Sequence, residues 1–370
     1  MKILVLGASA RAVAQSVARA GHEAVAMDSY GDCDLKEIAR WHRRDKSEPL
    51  GEIVKEFDVD GAVFASGVEN RPEAIIELEE AGVRVYSSPY ASIKRCRSLN
   101  ELEKFCADCG LSRPKVFLPQ AGDDLSGFSG FLIKRFKSGG GIGVRDCDKD
   151  TALREGEYLQ ERIGGTSISV VFLADGKNAA LCGASRQLIG NRALGADGFA
   201  WCGNIMPFSA EAGKKNALLD EFRRVASAMA SYFGLKGAIG ADFIYDGVNL
   251  WLLEINPRIS ASFELVELLS GVNIFSLHLS AISGHLPPER ENLLDGPFRG
   301  KGIIYAPKNL TAPDTGAWYN YSRRDIPQPR ASLPAGAPIC TSITPSLPSD
   351  ADVMAYLSGE AVKVWRDCGL

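Results

Sequence analysis

Glu254, Asn256 and Arg258 occupy alternate positions at the end of the apolar run LWLLEINPR, and Asp242 interrupts a second apolar run, GAIGADFIYDG, just upstream. Alternate residues on a strand share one face, and Pro257 pushes Asn256 toward extended backbone. Between the two runs, Asp246-Gly247 is a hairpin turn signal. Folding at that turn would set Asp242 beside Glu254, 254 − 242 = 12 residues further on. Two carboxylates and an amide are hard oxygen donors suited to Mg²⁺ (or Mn²⁺), which normally shares its shell with nucleotide phosphates. Arg258 would stand beside that metal as a fixed cation. The structural alternative is a Glu254–Arg258 ion pair at a strand end, with Asp242 capping a turn.

A second group precedes this one. In FLIKRFKSGGGIGV a β-like run carrying Lys134 leads into Ser138-Gly139-Gly140-Gly141-Ile142-Gly143. Backbone N–H groups of a glycine-rich loop can approach phosphate oxygens closely, and an adjacent lysine supplies charge. No Gly-Lys-Ser/Thr follows, so this is not a Walker A loop, and a hairpin tip without a ligand is the alternative. Glu161, Arg162 and Ile163 close a strand from Tyr158 to Arg162 just before the Gly164-Gly165 break, where free backbone groups would suit an adenine edge. The segment Gly190 to Pro207, with Arg192, Trp201 and Asn204, has the composition of an active-site loop. Arg186 and Arg192 are candidate anchors for an anionic substrate, or else cations that serve solubility. Ser260 and Ser262 either line the pocket beyond Arg258 or cap the helix beginning there.

These residues need a scaffold, and 370 residues with 45% hydrophobic and 24% charged side chains have room for two or three domains. A net charge of −4 gives no electrostatic case for nucleic acid, and no run of about 18 apolar residues would span a membrane. MKILVLGASARA goes straight into a β/α pattern and reads as a first strand rather than a leader. Nine scattered cysteines point to a reducing cytoplasm, and Cys106-x-x-Cys109 reads as small apolar helix residues rather than zinc ligands. Strands at Lys2–Gly7, Glu23–Asp28, Gly61–Ser66 and Val83–Ser87 make residues 1–88 a small α/β domain. Its Gly7 turn and Asp28 invite a dinucleotide reading, but Ser9 and Ala12 stand where G-x-G-x-x-G needs glycine. A helix from Ala210 to Phe233 delivers the chain to the Asp242 hairpin. Eight of the 18 prolines lie between Pro307 and Pro348, which excludes long helices there; GKGIIYAP and APICTSI are short strand candidates, and Asp350–Asp367 a closing helix.

Taken together, the order of parts resembles the ATP-grasp superfamily from Met1 to about Leu286: a small α/β domain, a lysine-bearing strand before a glycine-rich flap, a Q-E-R-I hinge, and a terminal D…E-I-N-P-R strand pair. Within it the chain looks most like the predicted ATP-dependent carboligases related to biotin carboxylase and carbamoyl-phosphate synthase. The resemblance implies an α/β and α+β chain: an N-terminal Rossmann-like pre-ATP-grasp domain (1–88), an ATP-grasp catalytic domain (89–286, flap about 115–160) and a small β-rich C-terminal region with a closing helix (287–370). On the simplest reading the C-terminal region only covers the catalytic sheet and supports a homodimer. By the same resemblance Asp242, Glu254 and Asn256 hold Mg²⁺, Arg258 stabilises the reacting centre, Lys134 meets the ATP phosphates, and Glu161 to Ile163 hold adenine. Two features depart from the pattern. The second phosphate lysine is absent unless Lys94, Arg95 or Arg97 replaces it, and no acidic ribose ligand follows in Gly165-Thr166-Ser167. The implied activity converts a carboxylate to an acyl phosphate that an amine captures, giving an amide and ADP. A carboxylase working through carboxyphosphate, a nucleotide-responsive protein on a degenerate ligase fold and, more distantly, an NAD-dependent oxidoreductase are the alternatives.

Overall fold

The computed structural model describes residues 1–43, 48–119, 123, 125–148, 153–211 and 213–370. Its first layer is a parallel sheet of β1 (Lys2–Leu6), β2 (Glu23–Asp28), β3 (Ala39–Arg43), β4 (Gly61–Phe64) and β5 (Arg84–Tyr86), in the order β3-β2-β1-β4-β5. Near-continuous apolar runs in β1, β2 and β4 reflect burial of both faces, the usual state of a parallel sheet. Helices α1 (Arg11–Arg19), α2 (Cys33–Lys36), α3 (Leu50–Phe57) and α4 (Glu73–Glu80) make the crossovers. The edge strand β3 is absent from the sequence reading. Its residues, ARWHR, are half-exposed and lack an apolar alternation that would announce a strand.

Helices α5 (Tyr90–Cys96) and α6 (Leu99–Cys109) follow; Ser98 caps α6 by accepting from Glu101 N–H at 3.4 Å. Strands β6 (Val116–Phe117), β7 (Phe131–Arg135), β8 (Arg145–Asp146) and β9 (Glu157–Glu161) then form a small antiparallel sheet, ordered β6-β9-β7-β8. The glycine-rich run is the tip of the β7–β8 hairpin. The remaining chain builds one large antiparallel sheet from β10 (Thr166–Asp175), β11 (Ala179–Ile189), β12 (Trp201–Met206), β13 (Lys236–Tyr245), β14 (Leu250–Asn256), β15 (Arg299–Tyr305), β17 (Arg323–Arg324) and β19 (Pro338–Ile343). Between these lie α7 (Lys215–Phe233), α8 (Phe263–Ser270) and α9 (Ile274–Ile282), a two-residue ribbon of β16 (Leu310–Thr311) with β18 (Ser332–Leu333), and a final α10 (Asp350–Asp367). Helix α7 begins at Lys215 rather than Ala210; Ala210 and Glu211 are irregular, and residue 212 lies outside the described residues.

β12 pairs with β15 through Ile205 and Gly300, so strands on both sides of residue 287 belong to one sheet. The parallel layer docks on this sheet through a shared apolar core that includes Val5, Val17, Val171, Phe263 and Phe275. Buried His278 ties the same junction: its Nδ1 accepts from Ala238 N–H at 2.8 Å and its Nε2 donates to Tyr86 O at 3.0 Å. The loops at the carboxyl ends of β1, β2 and β4 therefore face the large sheet across a cleft, the crevice where open α/β sheets receive ligands.

Candidate functional site

Local turn chemistry sets the centre of the cleft. Asp246 Oδ1 accepts from Val248 N–H and Asn249 N–H at 2.8 and 2.7 Å, closing a tight turn between β13 and β14. The resulting register sets Asp242 opposite Glu254 and Gly240 opposite Asn256. Asn256 Nδ2 donates to Asp242 Oδ2 at 2.9 Å, and Gln187 Nε2 on β11 donates to Asp242 Oδ1 at 3.1 Å. Burial and the neighbouring Glu254 push the Asp242 carboxyl up to about 7. Burial opposes ionisation of Glu254 too, but Arg97 and Lys134 outweigh it and hold that carboxyl below its ordinary value. The donor chemistry fits Mg²⁺, which needs only one or two carboxylates when phosphates complete its shell. Among the described residues no group of three or more His, Cys, Asp or Glu is arranged to hold a metal, so the remaining ligands would come from the nucleotide.

The cation pattern differs from the sequence expectation. Arg258 pairs with Glu69, Nη2 to Oε1 at 2.9 Å and Nε to Oε1 at 3.0 Å, while Nη2 stands 3.3 Å from Asn256 Oδ1. Thus the Glu254–Arg258 ion pair of the structural alternative is not formed. Glu254 is instead paired with Arg97 at 3.1 Å. Of the three candidate replacements for the second phosphate lysine, Arg97 lines the cleft, whereas Lys94 lies over the Tyr90 ring and Arg95 donates to Tyr232 O and pairs with Glu101. Glu69 sits on a single turn, Val68–Asn70, and no local periodicity marks it as a partner of a residue on another layer.

Lys134 on β7 lines the same cleft, its Nζ donating to Gln160 Oε1 at 3.4 Å, and burial lowers its pKa. Ser138, Gly139, Gly140 and Gly141 form the roof. Trp201 N–H donates to Gly140 O at 3.0 Å, and Asn70 Nδ2 reaches Ser138 O at 3.5 Å. Gly141 has φ +76°, and a Cβ there would lie 1.8 Å from Phe199 O, so no larger residue allows the flap to seat as it does. The hinge residues Glu161, Arg162 and Ile163 line the cleft, but the strand ends at Glu161 rather than Arg162. The backbone N–H groups of Glu161 and Arg162 are already spent on Lys115 O and Gly130 O, at 2.8 and 3.1 Å.

The proposed substrate anchors divide. Arg186 is turned away from the cleft and pairs with Asp350 at the start of α10, Nε to Oδ2 at 2.9 Å. Arg192 is exposed and meets Asp197 at 3.4 Å. Neither lines the cleft, because both side chains leave the sheet on the α10 side or at a loop surface. Ser260 and Ser262 do line it. Ser262 occupies the N-cap position of α8 without a capping bond, its Oγ donating to Ser169 Oγ at 3.4 Å, and the buried Ser260 Oγ has no partner among the described residues. At the Gly7 turn, Asp28 is fully occupied by the N–H groups of Ala10, Tyr30 and Gly31 and by Trp41 Nε1, which leaves no lone carboxylate for a ribose. Sequence reasoning took Gln160 only as the start of the Q-E-R-I hinge and missed Ser169 and Gln187; the three complete the polar wall.

Residues 111–262 match the family model of the ATP-grasp domain. The arginine-specific large chain of carbamoyl phosphate synthase from Bacillus subtilis is 18% identical over 254 residues, which cover 64% of this chain and 24% of that protein. The chain spans about a quarter or less of the carbamoyl phosphate synthase chains it matches. Among solved structures, the biotin carboxylase domain of the Hydrogenobacter thermophilus 2-oxoglutarate carboxylase, a dimer in complex with MgADP, ADP and bicarbonate, superposes with TM-score 0.74 at 16% identity, covering 98% of this chain and 89% of that one. The L-amino acid ligase of Bacillus licheniformis superposes with TM-score 0.68 at 15% identity, covering 98% and 97%. At these identities the likeness is one of fold, and the mixed α/β ATP-grasp fold expected from the sequence is the fold observed.

Proposed function

Proceeding from an ATP-grasp domain over residues 111–262, we propose that the protein is an ATP- and Mg²⁺-dependent, ADP-forming ligase that joins a small-molecule carboxylate to an amine. The observation that carries this reading is the cross-strand pair Asp242–Glu254 with Asn256, sharing one cleft with Lys134 and the glycine flap. Asp242, Glu254 and Asn256 would hold Mg²⁺, which would offset the charge of the nucleotide phosphates. Lys134 and the backbone N–H groups of Ser138 to Gly141 hold the phosphates, and the flap excludes water. A carboxylate oxygen of the substrate attacks the γ-phosphorus, the bond from that phosphorus to the β–γ bridging oxygen breaks, and ADP leaves. The amine nitrogen then attacks the acyl carbon, loses a proton, and phosphate departs from the resulting acyl phosphate. Arg258 stands beside Asn256 with its guanidinium free to trade part of its Glu69 contact for the charge developing on the transferred group. Positioning and charge neutralisation do this work without a side-chain nucleophile.

A substrate carboxylate larger than bicarbonate is favoured by room. The cleft, about 2220 Å³, runs past Arg258 to Ser9, Tyr30, Asp32 and Asp325, well beyond the roughly 300–1,000 Å³ of an ordinary small-molecule site. ADP release measured with pools of carboxylic acids and amines, followed by mass spectrometry of the product, tests the reading. Release with bicarbonate alone would replace it with the carboxylase reading, and Mg-ATP failing to bind would end it.

A further inference from the structure

The end of the cleft remote from the flap has an unusual charge balance. There the β1–α1 and β2–α2 loops meet α8, β15 and the segment after β17, and six ionisable side chains converge: Arg11 and Lys301 against Asp32, Asp34, Glu264 and Asp325. Arg11 is fully buried, and its five N–H donors are all spent: Nε and Nη2 on Asp325, Nη1 and Nη2 on Glu264, and Nη1 on Gln15. Lys301 Nζ donates to Glu264 Oε2 at 2.6 Å. Asp34 accepts the backbone N–H groups of Asp325 and Ile326, each at 3.0 Å, which holds Asp325 at a left-handed φ of 51°. Asp32 is what remains. It is only 6% exposed, it lines the cleft, and among the described residues its carboxylate has no hydrogen bond and no ion pair.

A buried carboxylate without a donor is costly, and the field of Arg11, whose own donors are spent elsewhere, offsets that cost only in part. Burial, with Asp325, Asp28 and Asp34 close by, pushes the Asp32 carboxyl up to about 9. Tyr30, beside it on the same loop, and Ser9, whose Oγ donates to Asp325 at 3.4 Å, complete a polar wall without adding a cation. Arg43, at the end of β3, is exposed on the rim.

We propose that this chamber is the subsite for a positively charged nitrogen of the amine substrate, an ammonium or guanidinium group that Asp32 receives with Asp325 and Glu264 behind it. The assignment of that cation to the amine rests on the ligase reading; the presence of a cation subsite rests on the chamber itself. The substrate class is thereby narrowed to amines that enter as cations, such as diamines and basic amino acid derivatives, and acceptors that are neutral or anionic along their whole length are disfavoured.

Calorimetric titration of the full chain with 1,4-diaminobutane, agmatine and, as the uncharged isostere, 1,4-butanediol tests this, each with and without Mg-ADP. Saturable binding of the two cations and none of the diol is expected. Asp32→Asn should weaken cation binding at least about tenfold, the loss typical of a buried charge-assisted hydrogen bond. The same variant should bind Mg-ADP as the wild type does, and melt at the same or a higher temperature because it replaces a buried carboxyl that has no hydrogen-bond donor. Absence of cation binding to the wild type, equal binding of the diol, or undiminished cation binding in Asp32→Asn overturns the proposal. The wild-type comparison of cation with diol stands even if the variant does not fold. Mg-ADP failing to bind the wild type while the cations do would sink the ligase reading and leave the cation subsite in place.

Discussion

The two ends of the cleft handle charge in opposite ways. Around the Asp242–Glu254 pair three carboxylates meet three cations: Glu254 with Arg97, Glu69 with Arg258, and Asp242 in the field of Arg258 with Lys134 close to both strand carboxylates. At the remote end four carboxylates meet two cations, and one carboxylate is left over. A balanced set can exchange partners at little cost, which suits a site that takes in a metal and phosphates together. An unbalanced set stays costly until something positive arrives, which suits selection of a substrate by charge.

The largest effect should come from upsetting the balanced end. Glu254→Gln keeps the shape of the side chain but removes a charge from the proposed Mg²⁺ set and strands Arg97, so ADP release should fall by about a thousandfold and need more Mg²⁺. Normal turnover in a Mg²⁺ titration of that variant would remove Glu254 from the metal site. Next comes Arg258→Ala. It should lower kcat at least about a hundredfold, and also destabilise the fold by about 3 kcal/mol because buried Glu69 loses the guanidinium it is paired with. Adding Glu69→Gln should restore the melting temperature but not kcat. If the double variant recovers both, Arg258 is a structural brace between layers and nothing more.

Lys134→Ala should act on binding more than on the chemical step, weakening Mg-ATP affinity by about tenfold while leaving the melting temperature nearly unchanged. Unchanged affinity by calorimetry would take Lys134 out of the phosphate site. The last effect is absent at neutral pH, lies away from both ends and serves as a control on the ionic argument. His278 is buried as the neutral ring, and burial pushes its pKa down to about 4 from an unperturbed value near 6.5. The unfolded chain therefore takes up the proton first as pH falls. Stability from this group is fully present above about pH 6.5 and is lost toward pH 4, by up to about 3 kcal/mol. Denaturant melts between pH 4 and 7 should show a shallower loss in His278→Gln than in the wild type; identical slopes would mean that His278 does not control the junction.

The hairpin that carries Asp242, Glu254 and Asn256 was readable because everything it needs is local: an Asp-Gly turn, two apolar runs and a proline after Asn256. The β10–β11 hairpin obeys the same rule. Its turn, Asp175-Gly-Lys-Asn178, repeats the Asp-Gly-x-Asn pattern of Asp246–Asn249, and Asp175 Oδ1 accepts from Lys177 N–H and Asn178 N–H at 2.8 and 2.7 Å. The lysine before a glycine-rich hairpin was readable for the same reason. Side-chain partners across layers were not. Arg186 and Arg192 looked like equally good anchors, yet which way an arginine leaves a sheet or loop depends on elements far along the chain, and here Asp350 of α10 claims Arg186. Arg258 was expected to stand by the metal set, and only packing of the parallel layer on the large sheet brought Glu69, 189 residues away in sequence, within reach of it.

The sequence by itself therefore determined most of the strands, the turn of the Asp242 hairpin, the glycine-rich flap and the residues proposed as oxygen donors, since backbone propensities and short-range hydrogen bonds act within a few residues. Tertiary structure alone decided which charges are paired. Arg11 and Asp325 lie 314 residues apart, and Asp32 became an isolated carboxylate only when the last third of the chain folded back over the first and spent every donor of Arg11 elsewhere. Desolvation makes such pairings matter: the same residues on an extended chain would be solvated by water and indistinguishable from any other surface charges.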